Sequence, residues 1–234
     1  VSHAAHHTFD MTKMGGLRRR MPVTWATFLV AVIAIAGVPP FSGFFSKDEI
    51  LLAANQAHAI PGHQALWAIG MATAFLTAFY MFRLYFLVWS GESRADHHTQ
   101  ASIHESGKWV LVPLCVLALF SVIGGFFGLP DAYGDLFGVQ RSNSLHHFLQ
   151  PVVHSAEHEI SHATEFRLAA LTTVVGLAGI LLATLLYFWR RDLAPKIAAA
   201  IRPLYALVRD KYRIDELYDA AIVRPLRAPS SGLL

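Results

Sequence analysis

The amino-acid sequence predicts an all-α integral membrane bundle, and three observations carry that prediction. Hydrophobic residues make up 54% of the 234-residue chain and charged residues only 15%, against about a quarter charged in ordinary soluble domains. Apolar runs long enough for a bilayer crossing, which takes about 20 residues, recur along the chain. Lys and Arg collect at the ends of those runs, mostly on one side. Together these features predict four transmembrane segments, one of them discontinuous, followed by an amphipathic interfacial helix.

In chain order, residues 1–22 read as the end of a preceding helix and a basic cytoplasmic loop. The opening Val1-Ser2-His3-Ala4-Ala5-His6-His7 has neither the basic start nor the apolar core of a signal peptide, and a start at Val reads as a fragment. Residues 23–55 are too long for one straight crossing and carry Pro39, Pro40 and Gly43 in the middle. Proline removes backbone donors and clashes with the preceding turn, which predicts two half-helices over 23–38 and 45–55. Residues 65–89, 109–129 and 166–189 each satisfy the length of a crossing. Within 65–89, Arg83 near one end reads as a snorkelling residue or a contact between helices. Within 166–189, Ala169, Thr173, Gly176, Gly179 and Ala183 form a small-residue face for close helix packing. Residues 130–165 read as an external loop. Residues 190–234 alternate apolar runs with Arg, Lys and Asp and never reach spanning length, as an amphipathic segment on the cytoplasmic face would.

Topology follows from the bias of Lys and Arg toward the cytoplasm. Lys13, Arg18, Arg19 and Arg20, then Arg94 and Lys108, then the many basic residues from Arg190 to Arg227 fall on one side; the opposite loops hold only Arg141 and Arg167. Trp25, Trp67, Trp89, Trp109 and Trp189 sit near segment ends, as interfacial anchors do. Because the positive residues cluster at segment ends, the net charge of +3 does not predict a nucleic-acid partner; the bilayer itself is the expected one. The single Cys115 excludes an intrachain disulfide and a cysteine-based metal cluster.

Lys47 is the residue of greatest interest. A charged amine in a membrane segment is costly and marks a functional site, and irregular backbone at membrane depth requires protein or a water-filled cavity around it. Ser46-Lys47-Asp48-Glu49 before Ile50-Leu51-Leu52 matches the capping box that opens helices, placing Lys47 in the first turn of the second half-helix. Burial and the positive helix end both disfavour the ammonium, and a lysine so placed can load and release a proton. The alternative is an interfacial lysine snorkelling into headgroups. Asp48 is a candidate counter-ion; Glu49, on another face, caps backbone.

His154, His158 and His162 recur at helical spacing with Glu157, Glu159 and Glu165 nearby. They lack a fixed further ligand and the pattern of a catalytic zinc site, so a solvated loop helix is the expectation and no metal is assigned. No phosphate-binding glycine loop, nucleophile triad or cofactor motif is visible, so no cofactor is expected in this chain.

The wording of three segments adds to this. His6-His7-x-x-Asp10-Met11-x-Lys13-Met14-Gly15-Gly16-Leu17-Arg18, then Pro39-Pro40-Phe41-Ser42-Gly43-Phe44-Phe45-Ser46-Lys47-Asp48-Glu49-Ile50-Leu51, then Ile214-Asp215-Glu216-Leu217-Tyr218-Asp219 resemble subunit L (chain 5) of proton-pumping NADH:quinone oxidoreductase, respiratory complex I. The resemblance covers all but about the last eight residues. It implies part of an antiporter-like fold of inverted repeats with broken helices, Lys47 as a half-channel proton relay, other membrane-arm subunits as partners and the cell inner membrane as location. The family's first repeat, lateral helix and last transmembrane helix have no counterpart here, which reads as an internal or C-terminal fragment. The competing readings are a subunit of a related cation/proton antiporter or membrane-bound hydrogenase, and a non-catalytic structural membrane fragment.

Overall fold

The structure, a computed structural model, describes residues 9–129, 133, 148, 149, 151, 152, 161–225 and 227. All regular secondary structure among them is helical. The chain divides into two compact units, Val1–Trp189 and Arg190–Leu234.

In the first unit, α1 (Pro22–Ala36) and α2 (Ser42–Gln56) flank the predicted break, and α3 (His63–Trp89) follows after a short turn. A short α4 (His97–Ser102) leads to α5 (Lys108–Ile123), which tightens into a 3₁₀ turn at Gly124–Gly128. The last helix, α6 (His162–Thr184), widens into a π-helical turn at Leu185–Trp189. Three helical stretches among the described residues are long and apolar enough to cross a membrane: His63–Trp89, Lys108–Gly128 and His162–Trp189. The predicted segments 65–89 and 109–129 coincide with two of them. The predicted 166–189 begins a turn early, so His162–Glu165 belongs to α6 and not to the external loop; the rest of that loop lies almost wholly outside the described residues.

α3 and α6 form the principal helix pair, and their contact rests on small residues. Ala169, Thr172, Gly176, Gly179 and Ala183 are buried along one side of α6, four of the five expected positions, with Thr172 in place of Thr173. A Cβ at Gly179 would meet the Phe75 carbonyl oxygen at 2.5 Å, so only glycine lets the two backbones approach so closely. α5 buries no residue, and Trp109, Val112, Leu117 and Phe120 are exposed. An apolar exterior of that kind suits lipid or protein surroundings rather than water.

The turns preceding α1 and following α3 are knitted into one collar around Met14, Leu17, Met21, Val88, Trp89 and Ile103. The Arg94 guanidinium donates to the carbonyls of Thr12, at 2.8 Å, Met11 and Leu87, and Arg20 donates to the Gln100 carbonyl. Thr12 donates its hydroxyl and, secondarily, its backbone N–H to Asp10, holding that carboxyl below the usual aspartate range. Trp109 and Trp189 are exposed as anchors would be, whereas Trp89 is 2% exposed in this core beside Phe28. Its expected interfacial role is thereby corrected: the collar covers it. Arg83 does not snorkel free; its guanidinium lies over the Tyr187 ring, 5.5 Å from the centroid, as a contact between helices.

The second unit is segmented. α7 (Leu193–Ala200), α8 (Arg202–Arg209) and α9 (Ile214–Tyr218) are joined by short turns, and α9 passes into a π turn at Asp219–Val223. Lys211, Tyr212 and Arg213 all have positive φ, which ends one helix and starts another. The amphipathic segment is therefore several short helices, not one. Exposed ion pairs such as Lys196–Asp192 at 2.8 Å and Arg224–Asp219 at 2.8 Å accompany exposed Leu204, Leu207 and Val208.

Candidate functional site

The site forms where α1 stops. Gly37 takes the left-handed conformation (φ 77°), which only glycine adopts without cost. The N–H groups of Gly37 and Val38 then satisfy the carbonyls of Ala34 and Ile33. The regular donor to the Ile35 carbonyl would be the N–H of residue 39, and Pro39 has none. Lys47 fills that vacancy: its Nζ donates to the Ile35 carbonyl oxygen across the break. The lysine stem passes over Gly37, where a Cβ would lie 3.2 Å from its Cδ.

The two half-helices can lie this close because residue 43 is glycine. A Cβ there would be 1.9 Å from the Ala34 carbonyl oxygen, inside any van der Waals limit. Gly125 plays the same part on the other side, where a Cβ would stand 2.5 Å from the Phe45 ring.

One expectation is corrected here. The capping box at Ser46 does not open α2; the helix begins at Ser42, with Phe41 as N-cap. The Ser46 hydroxyl lies 3.4 Å from the carbonyls of both Ser42 and Gly43, as serines inside helices do. Lys47 is therefore in the second turn of α2, and its ammonium addresses the negative end of α1 instead of the positive end of its own helix. Its surroundings are half-buried, neither the open headgroup setting nor a sealed interior.

Asp48 points elsewhere. It is 2% exposed and shares the buried face of α2 with Phe44, Phe45 and Leu51. Successive helical residues face different ways, and no ion pair joins Asp48 to Lys47 among the described residues. The structure does not bring the candidate counter-ion to the lysine. Instead, it lies on the side of α2 whose Phe44 and Phe45 share a buried cluster with Ala169 of α6. The Tyr133 ring packs on this cluster, 6.2 Å from the Phe44 ring, 6.0 Å from that of Phe45 and 5.1 Å from that of Phe166. Asp48 Oδ1 is buried and receives no hydrogen bond among the described residues. Glu165, in the sequence a neighbour of the histidines, is largely buried in the first turn of α6.

His162, the first residue of α6, has Nδ1 3.9 Å from Glu165 Oε2. The other two histidines of the expected three-histidine face, His154 and His158, lie outside the described residues. Among the described residues no group of three His, Cys, Asp or Glu side chains could hold a metal ion.

A glycine-lined break, a lysine spanning it and a buried carboxyl, all within an apolar helical bundle, define a membrane protein with a discontinuous helix of the antiporter-like kind. Comparison with known sequences makes this specific. Residues 1–77 match the family described as NADH:quinone oxidoreductase/Mrp antiporter, transmembrane region. NADH-quinone oxidoreductase subunit L of Neisseria meningitidis serogroup A is 36% identical over 95% of this chain and 36% of its own length. NAD(P)H-quinone oxidoreductase chain 5 of Picosynechococcus is 37% identical over 100% of this chain and 36% of its own. The chloroplastic subunit 5 of Chlorokybus atmophyticus is 35% identical over 94% of this chain and 32% of its own. The chain thus belongs to the NADH-quinone oxidoreductase subunit L/chain 5 family and spans about a third of the length of these relatives.

Proposed function

We propose that this chain forms part of the proton-translocating membrane arm of an NADH:quinone oxidoreductase in the cell inner membrane, beside other membrane-arm subunits. Electron transfer from NADH to quinone takes place elsewhere in that assembly, and Lys47 serves as a half-channel relay. The observation that carries this reading is the Lys47 ammonium held on the Ile35 carbonyl between two half-helices. Protonated, the amine donates to that carbonyl and offsets the negative end of α1. Neutral, it loses the charge-assisted part of that bond and is released toward another acceptor. A lysine with two such states can take a proton from one side and pass it on.

Replacing Lys47 separates relay from cap. Arginine can still donate to Ile35 but does not give up its proton. In membrane vesicles carrying the whole enzyme, Lys47→Arg should keep assembly and electron transfer and lose the proton gradient; an undiminished gradient per NADH oxidised would sink the relay. A second reading, a subunit of a cation/proton antiporter, draws support from the family description, which joins both activities. Sodium-dependent activity of the assembled complex without NADH oxidation would favour it.

A further inference from the structure

The turn from α2 to α3 carries two histidines that the relay at Lys47 leaves unused. Two tight turns in succession bring them together. The Ile60 N–H donates to the Ala57 carbonyl at 2.9 Å, and the His63 N–H to the Ile60 carbonyl at 3.2 Å. The second turn holds Pro61 and then Gly62 in the left-handed region, with φ 84° and ψ 9°, the residues and geometry of a type II turn. A Cβ at Gly62 would meet nothing within 4 Å, so the backbone conformation alone calls for glycine there. The turns leave the His58 and His63 rings with centroids 4.9 Å apart and planes at 86°. His58 is exposed and His63 half-buried, at the end of α3 away from the collar.

The His63 ring is held in one tautomer. Its Nδ1 lies 3.3 Å from the Ile60 carbonyl oxygen. A carbonyl only accepts, so Nδ1 carries the hydrogen and the neutral ring presents its lone pair at Nε2. A backbone carbonyl orients metal-ligating histidines in the same way. Two imidazoles on one tetrahedral zinc, each nitrogen at about 2.0–2.1 Å, have ring centres about 5 Å apart, which matches the spacing of His58 and His63. We propose that His58 and His63 bind a divalent transition-metal ion, with zinc the best fit and water completing its coordination. Imidazole nitrogen suits zinc, copper and nickel, whereas calcium and magnesium take oxygen ligands. With two protein ligands the ion exchanges with the aqueous phase, unlike the closed four-ligand sites that hold structural zinc. Bound, it ties the segment leaving α2 to the first residue of α3. The site stands independently of the relay reading.

The test uses the assembled enzyme, stripped of loosely held metal by a chelator and dialysed against radioactive zinc ion at about pH 8, where imidazole is neutral. The unaltered enzyme should hold one more zinc ion per copy of this chain than either His58→Gln or His63→Gln. The double variant should lose no more than a single one, because both residues serve the same ion. Equal zinc in all four enzymes, or a loss in only one of the two single variants, overturns the site. If a variant does not assemble, amide exchange in the unaltered enzyme decides. Zinc should slow exchange across residues 57–64 by at least about tenfold, as a ligand bound only to the folded turn does; unchanged exchange overturns the site. The zinc count does not depend on pumping, so the failure of this site and the failure of the Lys47 relay are read separately.

Discussion

The two ends of α1 are finished by different chemistry. At its N-terminus the Glu105 carboxylate accepts from the N–H groups of Val23, at 2.8 Å, and Thr24, at 3.3 Å, and from the Thr24 hydroxyl. That is a fixed acidic cap on a positive helix end. At the C-terminus, Pro39 withdraws a donor and a lysine from the next helix supplies it. The first cap joins segments of the collar and depends on no change of charge. The second depends on an ionisable donor half-buried in an apolar bundle. On the proposed function, the first end stays as it is and the second changes state.

The comparison breaks most sharply at Lys47. Lys47→Ala should abolish proton translocation while electron transfer persists, and should also leave the Ile35 carbonyl without its donor, at about 1–3 kcal/mol. Vesicle pumping and thermal unfolding of the assembled complex measure the two effects separately. Next in size is Gly43→Ala, whose methyl would collide with the Ala34 carbonyl. Forcing the half-helices apart should cost about 1–3 kcal/mol, lowering the yield of assembled enzyme on native gels. Glu105→Gln tests the other end: a loss of about 1 kcal/mol of stability with pumping per NADH unchanged. Reduced pumping efficiency there would erase the distinction between the two caps.

Roughly half of this contrast was legible in the sequence. The break itself was, because two prolines and a glycine in an apolar run admit few other readings. The start of α2 was not: Ser46-x-x-Glu49 fits a capping box, but Gly43 lets the helix begin a turn earlier against α1, and tertiary contact overrode the local signal. The Lys47–Ile35 bond follows from the missing N–H of Pro39 once the helices are seen to overlap. The Glu105 cap, the packing of Phe44 and Phe45 against Ala169 and the burial of Trp89 depend on helices brought together from distant parts of the chain. The small-residue face of α6 was readable to within one position, since its spacing is a property of the helix alone.

The smallest expected effect belongs to the second unit. Lys196 and, secondarily, Arg190 hydrogen-bond to Asp192 and hold its carboxyl below the usual aspartate range. The depressed value means that its contribution to α7 is present above the ordinary aspartate pKa and is lost as pH falls through the lowered one. Amide exchange in Leu193–Ala200 should therefore quicken only in that acidic window, and Asp192→Asn should remove the pH step. No effect on pumping is expected from this variant, which sets a surface ion pair apart from the lysine at the break.

The most direct test of the central claim is the proton gradient formed per NADH oxidised by the Lys47→Arg enzyme. Arginine preserves a cationic donor to Ile35 and removes only the capacity to release a proton. The account predicts an assembled, electron-transferring complex with its gradient lost. A gradient equal to that of the unaltered enzyme would contradict it and leave Lys47 as a cap alone.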